Sequence, residues 1–165
     1  LVNEFSSFAR MPRPVMKVVK IKDLISRSFD LVKISSKNKL ILKDKTNNAK
    51  IKVDAEQLNR VFINLIKNSE ESLTEKAQKV ANFRGKIEIE ITINNHYIVI
   101  NISDNGIGIS DIKKAMNPYF TTKPQGTGLG LPIINKIINE HSGELVITNN
   151  RKMDGVKIEI LLPRN

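Results

Sequence analysis

The apolar run Tyr97–Ser103 ends on Asp104-Asn105-Gly106-Ile107-Gly108-Ile109, and a second glycine-rich phrase, Gly126-Thr127-Gly128-Leu129-Gly130-Leu131, opens a later apolar stretch. The first run reads as a strand, and the positions from Leu131 to Ile138 recur at helical spacing. The pattern therefore demands a strand that stops at a carboxylate, a glycine loop, and a helix with a glycine-rich start. Glycines let a backbone approach a flat ring closely, and the free N–H groups of a helix start favour anions. A carboxylate at a strand end can accept a hydrogen bond from an exocyclic amine. Together these features suit a nucleotide, although loose glycine patterns more often mark ordinary turns.

A third segment lies upstream. Asp54-Ala-Glu-Gln57 has the form of a helix start, with Asp54 as N-cap and Gln57 placed to reach back. Leu58, Val61, Phe62, Leu65, Ser69 and Ser72 then form an amphipathic stripe. Asn64, Asn68 and Glu71 follow one another on a single face beside that stripe. Amides at the edge of a buried face are costly unless something bonds them. They read either as a solvated face or as oxygen ligands for a Mg²⁺ that also touches phosphates.

The remaining chain supplies a sheet. Ile87, Ile89, Ile91 and Ile93 alternate with Glu88, Glu90 and Thr92, and Asn94-Asn95 turns into the strand ending at Asp104. Lys39–Lys43 and Ala49–Val53 alternate in the same way around Asn47-Asn48 and read as a second hairpin, with Gly143–Asn149 and Val156–Leu162 as a third. Val15–Ile21 reads as a short strand, Lys22–Ser35 as a first helix and Gly128–Glu140 as the phosphate-side helix. The expected fold is an α+β two-layer sandwich, a mixed sheet with helices on one face.

Composition narrows the choices. The absence of cysteine excludes disulfides and thiolate-bound metals. A net charge of +10 invites a nucleic-acid reading, but the lysines are dispersed and only two tyrosines, with no tryptophan, are available for stacking. No nucleic-acid partner is expected. No apolar run approaches membrane-spanning length.

Four phrases now stand in order: Asn64-Leu-Ile-Lys-Asn68, Asp104-Asn-Gly-Ile-Gly108, Pro118-Tyr-Phe-Thr-Thr-Lys123 and Gly126-Thr-Gly-Leu-Gly-Leu131. They resemble the N, G1, F and G2 boxes of the ATP-binding catalytic domain of bacterial sensor histidine kinases, in the gyrase, chaperone, kinase and mismatch-repair ATPase superfamily. The resemblance runs from about Asp54 to Pro163. Asn-Ser-Glu-Glu after the first box, the short Pro-Tyr-Phe-Thr-Thr-Lys-Pro segment and Glu4-Phe-Ser-Ser-Phe-Ala-Arg-Met-Pro12 are similar to nitrogen-regulation kinases of the NtrY and NtrB type.

That resemblance implies the Bergerat, or histidine-kinase ATPase, fold and a site for ATP and Mg²⁺. Asn68 would be the metal ligand and Asp104 the adenine acceptor. Gly106, Gly108, Thr122, Gly126, Thr127, Gly128, Leu129, Gly130 and Leu131 would line the nucleotide. Ile109–Gln125 would swing as a lid bringing Lys123 to the γ-phosphate, with Tyr119 and Phe120 anchoring it. Hydrolysing members of the superfamily carry a glutamate where Asn64 stands, so Asn64 would spare the γ-phosphoryl group from water. Glu71 departs from the lysine found there in many sensor kinases. Residues 1–14 would be the tail of a dimerisation and phosphoacceptor helix with its linker, and 15–165 the catalytic domain. The chain begins at Leu1, and a piece of a longer, membrane-anchored homodimeric parent is expected, itself monomeric and on the cytoplasmic side, with its own phosphoacceptor domain and, indirectly, a response regulator as partners. His96 and His141, the only two histidines, are expected to be structural. A non-catalytic ATP-sensing or docking module, or a serine-kinase anti-sigma factor of the same superfamily, remains as the alternative.

Overall fold

In the computed structural model, residues 12–110 and 130–164 are described. The elements in chain order are β1 (Lys17–Lys20), α1 (Ile21–Lys33), β2 (Lys39–Asp44), β3 (Lys50–Val53), α2 (Ala55–Lys79), β4 (Lys86–Ile93), β5 (Tyr97–Asp104), α3 (Gly130–Glu140), β6 (Glu144–Asn149) and β7 (Val156–Pro163). Five strands form one mixed sheet in the order β2-β4-β5-β7-β6, and β1 pairs with β3 in a separate ribbon.

The isoleucine alternation sets the layers. Ile87, Ile89 and Ile91 of β4, Ile98, Ile100 and Ile102 of β5, and Ile158, Ile160 and Leu162 of β7 are buried on one face. Against them pack Leu24, Ile25 and Phe29 of α1, Val61, Phe62, Leu65 and Ile66 of α2, and Ile134, Ile137 and Ile138 of α3. The opposite face is charged: Glu88 pairs with Lys43 and Lys86 at 3.0 and 3.2 Å, and Glu90 with Lys45 at 3.2 Å. Period-two alternation produces one wet and one dry face, so the three helices among the described residues share the dry side. The two-layer sandwich is the expected one.

Two of the three expected hairpins form. β4 and β5 are antiparallel with Ile89 opposite Ile102, and β6 and β7 with Ile147 opposite Ile158. The third does not. β2 runs parallel to β4, with Leu40 opposite Ile87, whereas β3 is antiparallel to β1, with Ile51 opposite Val19. The turn itself is real: Asn47 and Asn48 both adopt positive φ, at 57° and 62°, and Asp44 accepts from the Thr46 N–H and hydroxyl. It redirects the chain between two sheets instead of closing one pair.

Candidate nucleotide site

The site is organised along α2. Asp54 caps this helix by accepting from the Gln57 N–H at 3.0 Å, as its sequence form predicts. The reciprocal bond does not form. The Gln57 side-chain amide donates to the Pro12 carbonyl at 3.1 Å, and the Asp54 N–H donates instead to His141 Nε2 at 3.0 Å. His141 Nδ1 lies 2.8 Å from the Ile137 carbonyl, which can only accept. Both partners fix the proton on Nδ1, so the buried imidazole joins the end of α3 to the start of α2. The other Asp54 oxygen accepts from the Val15 N–H at 2.8 Å, tying in the entering chain.

Further along α2, beside Ser69, lies Asp104, 3 % exposed at the close of the central strand β5. Its Oδ1 accepts from the Gly106 N–H at 2.9 Å and the Val156 N–H at 3.2 Å, and the Ser69 hydroxyl bonds the carboxylate from α2. Burial pushes its carboxyl above the usual value, and these hydrogen bonds with the Lys76 charge pull it part of the way back. Space around it is tight. A Cβ on Gly155 would fall 2.2 Å from both the Asp104 carbonyl and Oδ1, so the β6–β7 turn can close over Asp104 only with glycine.

The loop after Asp104 is tied down from three sides. Gly106 rests on α2, where a Cβ would meet the Ser72 hydroxyl at 2.1 Å, and Ser72 accepts from the Ile107 N–H at 2.9 Å. Lys76 Nζ donates to the carbonyls of Asn105 and Gly106, at 2.8 and 3.2 Å, while lying over the Phe83 ring. Gly108 has φ of +78°, and beyond it the Asn149 side chain exchanges two 2.9 Å hydrogen bonds with the Ile109 backbone. Ser69, Ser72, Lys76, Asn149 and Gly155 were not singled out for these roles by pattern. The two serines do fall at the polar end of the α2 stripe, the one signal that pointed to them.

Asn64 and Asn68 are half-buried on α2, one turn apart, and Glu71 is exposed beyond them. A cleft of about 420 Å³ brings Asn64, with Glu56, Asn59, Arg60 and Ile63, opposite Gly130 and Ile133 at the start of α3. Leu131 is half-buried in that first turn. Of the expected nucleotide residues, Asn64 and Asn68 stand on α2, Asp104 and Gly106 meet it at Ser69 and Ser72, Gly130 shares the cleft with Asn64 and is followed by Leu131, whereas Gly108 lies against Asn149 and Asp154. Thr122, Lys123, Gly126, Thr127, Gly128 and Leu129, and with them Tyr119, Phe120 and all but the first two residues of the expected lid, lie outside the described residues, as does the N-terminal phrase before Pro12.

No cluster of three or more His, Cys, Asp or Glu side chains able to hold a metal occurs among the described residues. A single amide oxygen still fits Mg²⁺, which keeps several waters and shares phosphate oxygens when it binds beside a nucleotide. No helix among the described residues is long and apolar enough to cross a membrane.

A sandwich of this topology, with a buried aspartate at a central strand end and an asparagine-bearing helix beside it, is that of a nucleotide-binding ATPase domain. Residues 53–165 match the family described as histidine kinase-, DNA gyrase B- and HSP90-like ATPase, and the chain belongs to that family. It is 35% identical over 164 residues, 97% of its length, to a putative NtrY-like sensor histidine kinase of Rickettsia conorii, and 29% identical over 98% of its length to the nitrogen regulation protein NtrY of Azorhizobium caulinodans. It spans only 26% and 21% of those relatives. Among solved structures, the nucleotide-free catalytic domain of histidine kinase ThkA superposes with a TM-score of 0.78, covering 91% of this chain and 98% of that one at 24% identity. A mycobacterial sensor histidine kinase, MprB, shares the fold with a TM-score of 0.74 over 90% of this chain and 97% of that one, at 22% identity.

Proposed function

We propose that this chain binds ATP with Mg²⁺ and presents the γ-phosphoryl group to a histidine on a dimerisation and phosphoacceptor domain outside residues 15–165. One observation carries the reading: α2 runs from a cleft that its first half forms, holding Asn64 and the start of α3, to a buried carboxylate beside Ser69. Base, phosphates and reacting end would lie along that helix in turn.

Asp104 accepts from the adenine amino group with its remaining acceptor capacity, because Oδ1 already takes two N–H groups. A guanine would set a carbonyl against it and be refused. Asn68 would hold Mg²⁺ through its amide oxygen, and the ion would supply positive charge to the phosphate oxygens. Asn64 has no basic atom to take a proton from water, so hydrolysis is slow and the phosphoryl group is kept. In transfer, an imidazole nitrogen of the acceptor forms the new P–N bond while the bond from γ-phosphorus to the β,γ-bridging oxygen breaks. ADP leaves with that electron pair, and the imidazole proton goes to a base on the acceptor's own helix. His141 cannot serve as acceptor, because both of its nitrogens are engaged. The parent would be a membrane-anchored homodimer with this domain on the cytoplasmic side, passing its phosphate on to a response regulator.

Incubation with γ-labelled ATP tests this reading. The chain alone is expected to bind ATP, release little phosphate and carry no label; adding the helical phosphoacceptor pair of the same protein in trans restores labelling on that pair. Binding without any transfer to the added pair would leave a non-catalytic ATP-sensing module. Acid-labile label on the chain itself, lost on changing His96 or His141, would refute the assignment of both histidines.

A further inference from the structure

The cleft beside Asn64 holds a cation that the boxes do not include. Arg60 stands one helical turn before Asn64 and two before Asn68, so the three side chains follow one stripe of α2. From Ser72, beside the Asp104 loop, back to Arg60 the helix rises about 18 Å. The base end lies at Ser69 and Ser72, the metal position at Asn68, and Arg60 at the opposite extreme. There it lines the same cleft as Asn64 and Gly130.

Arg60 is exposed and makes no ion pair among the described residues. Glu56 precedes it by four residues, a spacing at which glutamate and arginine readily pair, yet it too has no ion pair among those residues. Among the described residues five lysines pair with glutamate, Lys43, Lys45, Lys79, Lys86 and Lys136, and none of their partners is Glu56. A guanidinium with no ion pair among the described residues, in the cleft that holds Asn64 and the first residue of α3, suits a terminal phosphate, whose oxygens accept its planar fork two at a time.

We propose that Arg60 binds the γ-phosphate of the nucleotide and is a catalytic residue of this site. The assignment rests on the ATP reading above and adds to it a residue that distinguishes a triphosphate from a diphosphate. The competing occupant, an acidic side chain of the phosphoacceptor domain, would leave nucleotide affinities untouched.

Calorimetric titration of the chain with ATP and with ADP, each with Mg²⁺, tests the proposal on Arg60→Gln and Arg60→Lys. Arg60→Gln should weaken ATP about tenfold, equivalent to ~1.4 kcal/mol, while ADP stays within about twofold. Arg60→Lys should fall between, keeping the charge but losing the fork. Equal weakening of both nucleotides, or no change in either, would overturn the role. Thermal unfolding checks that the exposed substitution leaves the fold intact, and if Arg60→Gln is destabilised the comparison rests on Arg60→Lys. A parent chain that bound no ATP would defeat the ATP reading itself; a parent that binds ATP beside an unaltered Arg60→Gln defeats only this inference.

Discussion

Replacing Asp104 by asparagine separates the two jobs of a buried carboxylate, because binding and stability should move in opposite directions. The amide oxygen can keep the Gly106 and Val156 N–H bonds, so the β5 end and the β6–β7 turn remain joined. The amide nitrogen, however, takes the place of the second oxygen and points a donor at the donor of adenine. Leaving such a pair unsatisfied in a buried site costs about 1–3 kcal/mol, or roughly 5- to 150-fold in affinity. Stability behaves differently. Burial raises the folded-state pKa of Asp104 above its ordinary value, so its contribution is fully present below the ordinary carboxylate pKa and is lost as pH rises through the raised one. Asparagine has no charge to bury, so the variant should gain stability relative to the parent with rising pH. ATP·Mg²⁺ titration at neutral pH and thermal unfolding across a pH series read the two effects. ATP binding within about twofold of the parent would reduce Asp104 to a turn residue. A loss of binding accompanied by an equal loss of stability at every pH would show that the site had simply come apart.

Three further outcomes follow from the same geometry. Asn68→Ala should weaken ATP·Mg²⁺ about tenfold or more while metal-free adenosine stays within about twofold; equal losses in calorimetry would reject the metal role. Asp54→Ala should cost about 1–2 kcal/mol of unfolding free energy at neutral pH. Burial opposes ionisation of Asp54, but the hydrogen bonds from the Gln57 and Val15 N–H groups outweigh it and lower its pKa, so the deficit should be full above the ordinary carboxylate range and fade as pH falls below it; a deficit equally large in acid would contradict the assignment. Lys76→Met should release the loop carbonyls of Asn105 and Gly106, and hydrogen exchange at Gly106 and Ile107 should quicken without global destabilisation; unchanged protection would mean that Ser72 and Asp104 hold the loop alone.

Much of this was legible from period and punctuation. The isoleucine alternation of β4 declared one dry face, and the asparagine turn declared where β5 begins. Asp54 announced the start of α2 because an N-cap acts locally. The false hairpin at Lys39–Val53 shows where local reading ends. Asn47-Asn48 with two positive φ angles has the form of a tight hairpin turn, and both flanking strands alternate correctly. Alternation states which side of a strand is apolar but not which strand it meets, and β2 and β3 each found a partner elsewhere in the chain. The site divides in the same way. Glycines and asparagines at fixed spacing were visible, whereas the Ser69 contact to Asp104, the Asn149 grip on Ile109 and the closeness of Gly155 depend on residues dozens of positions apart. Gln57 was read as half of a local pair and instead grips Pro12, because the N–H it would have bonded is taken by a histidine 87 residues along the chain.

The Asp54 junction also decides how the domain feels a pull. The entering chain is fastened at the Pro12 carbonyl and the Val15 N–H to the first turn of α2, and through His141 that same turn is fastened to the last turn of α3. A load arriving along the chain ahead of Val15 therefore reaches the levers that carry Asn64 and Gly130 before it reaches the five-stranded sheet. The two helices that line the cleft are therefore joined at one point, the foot of α2.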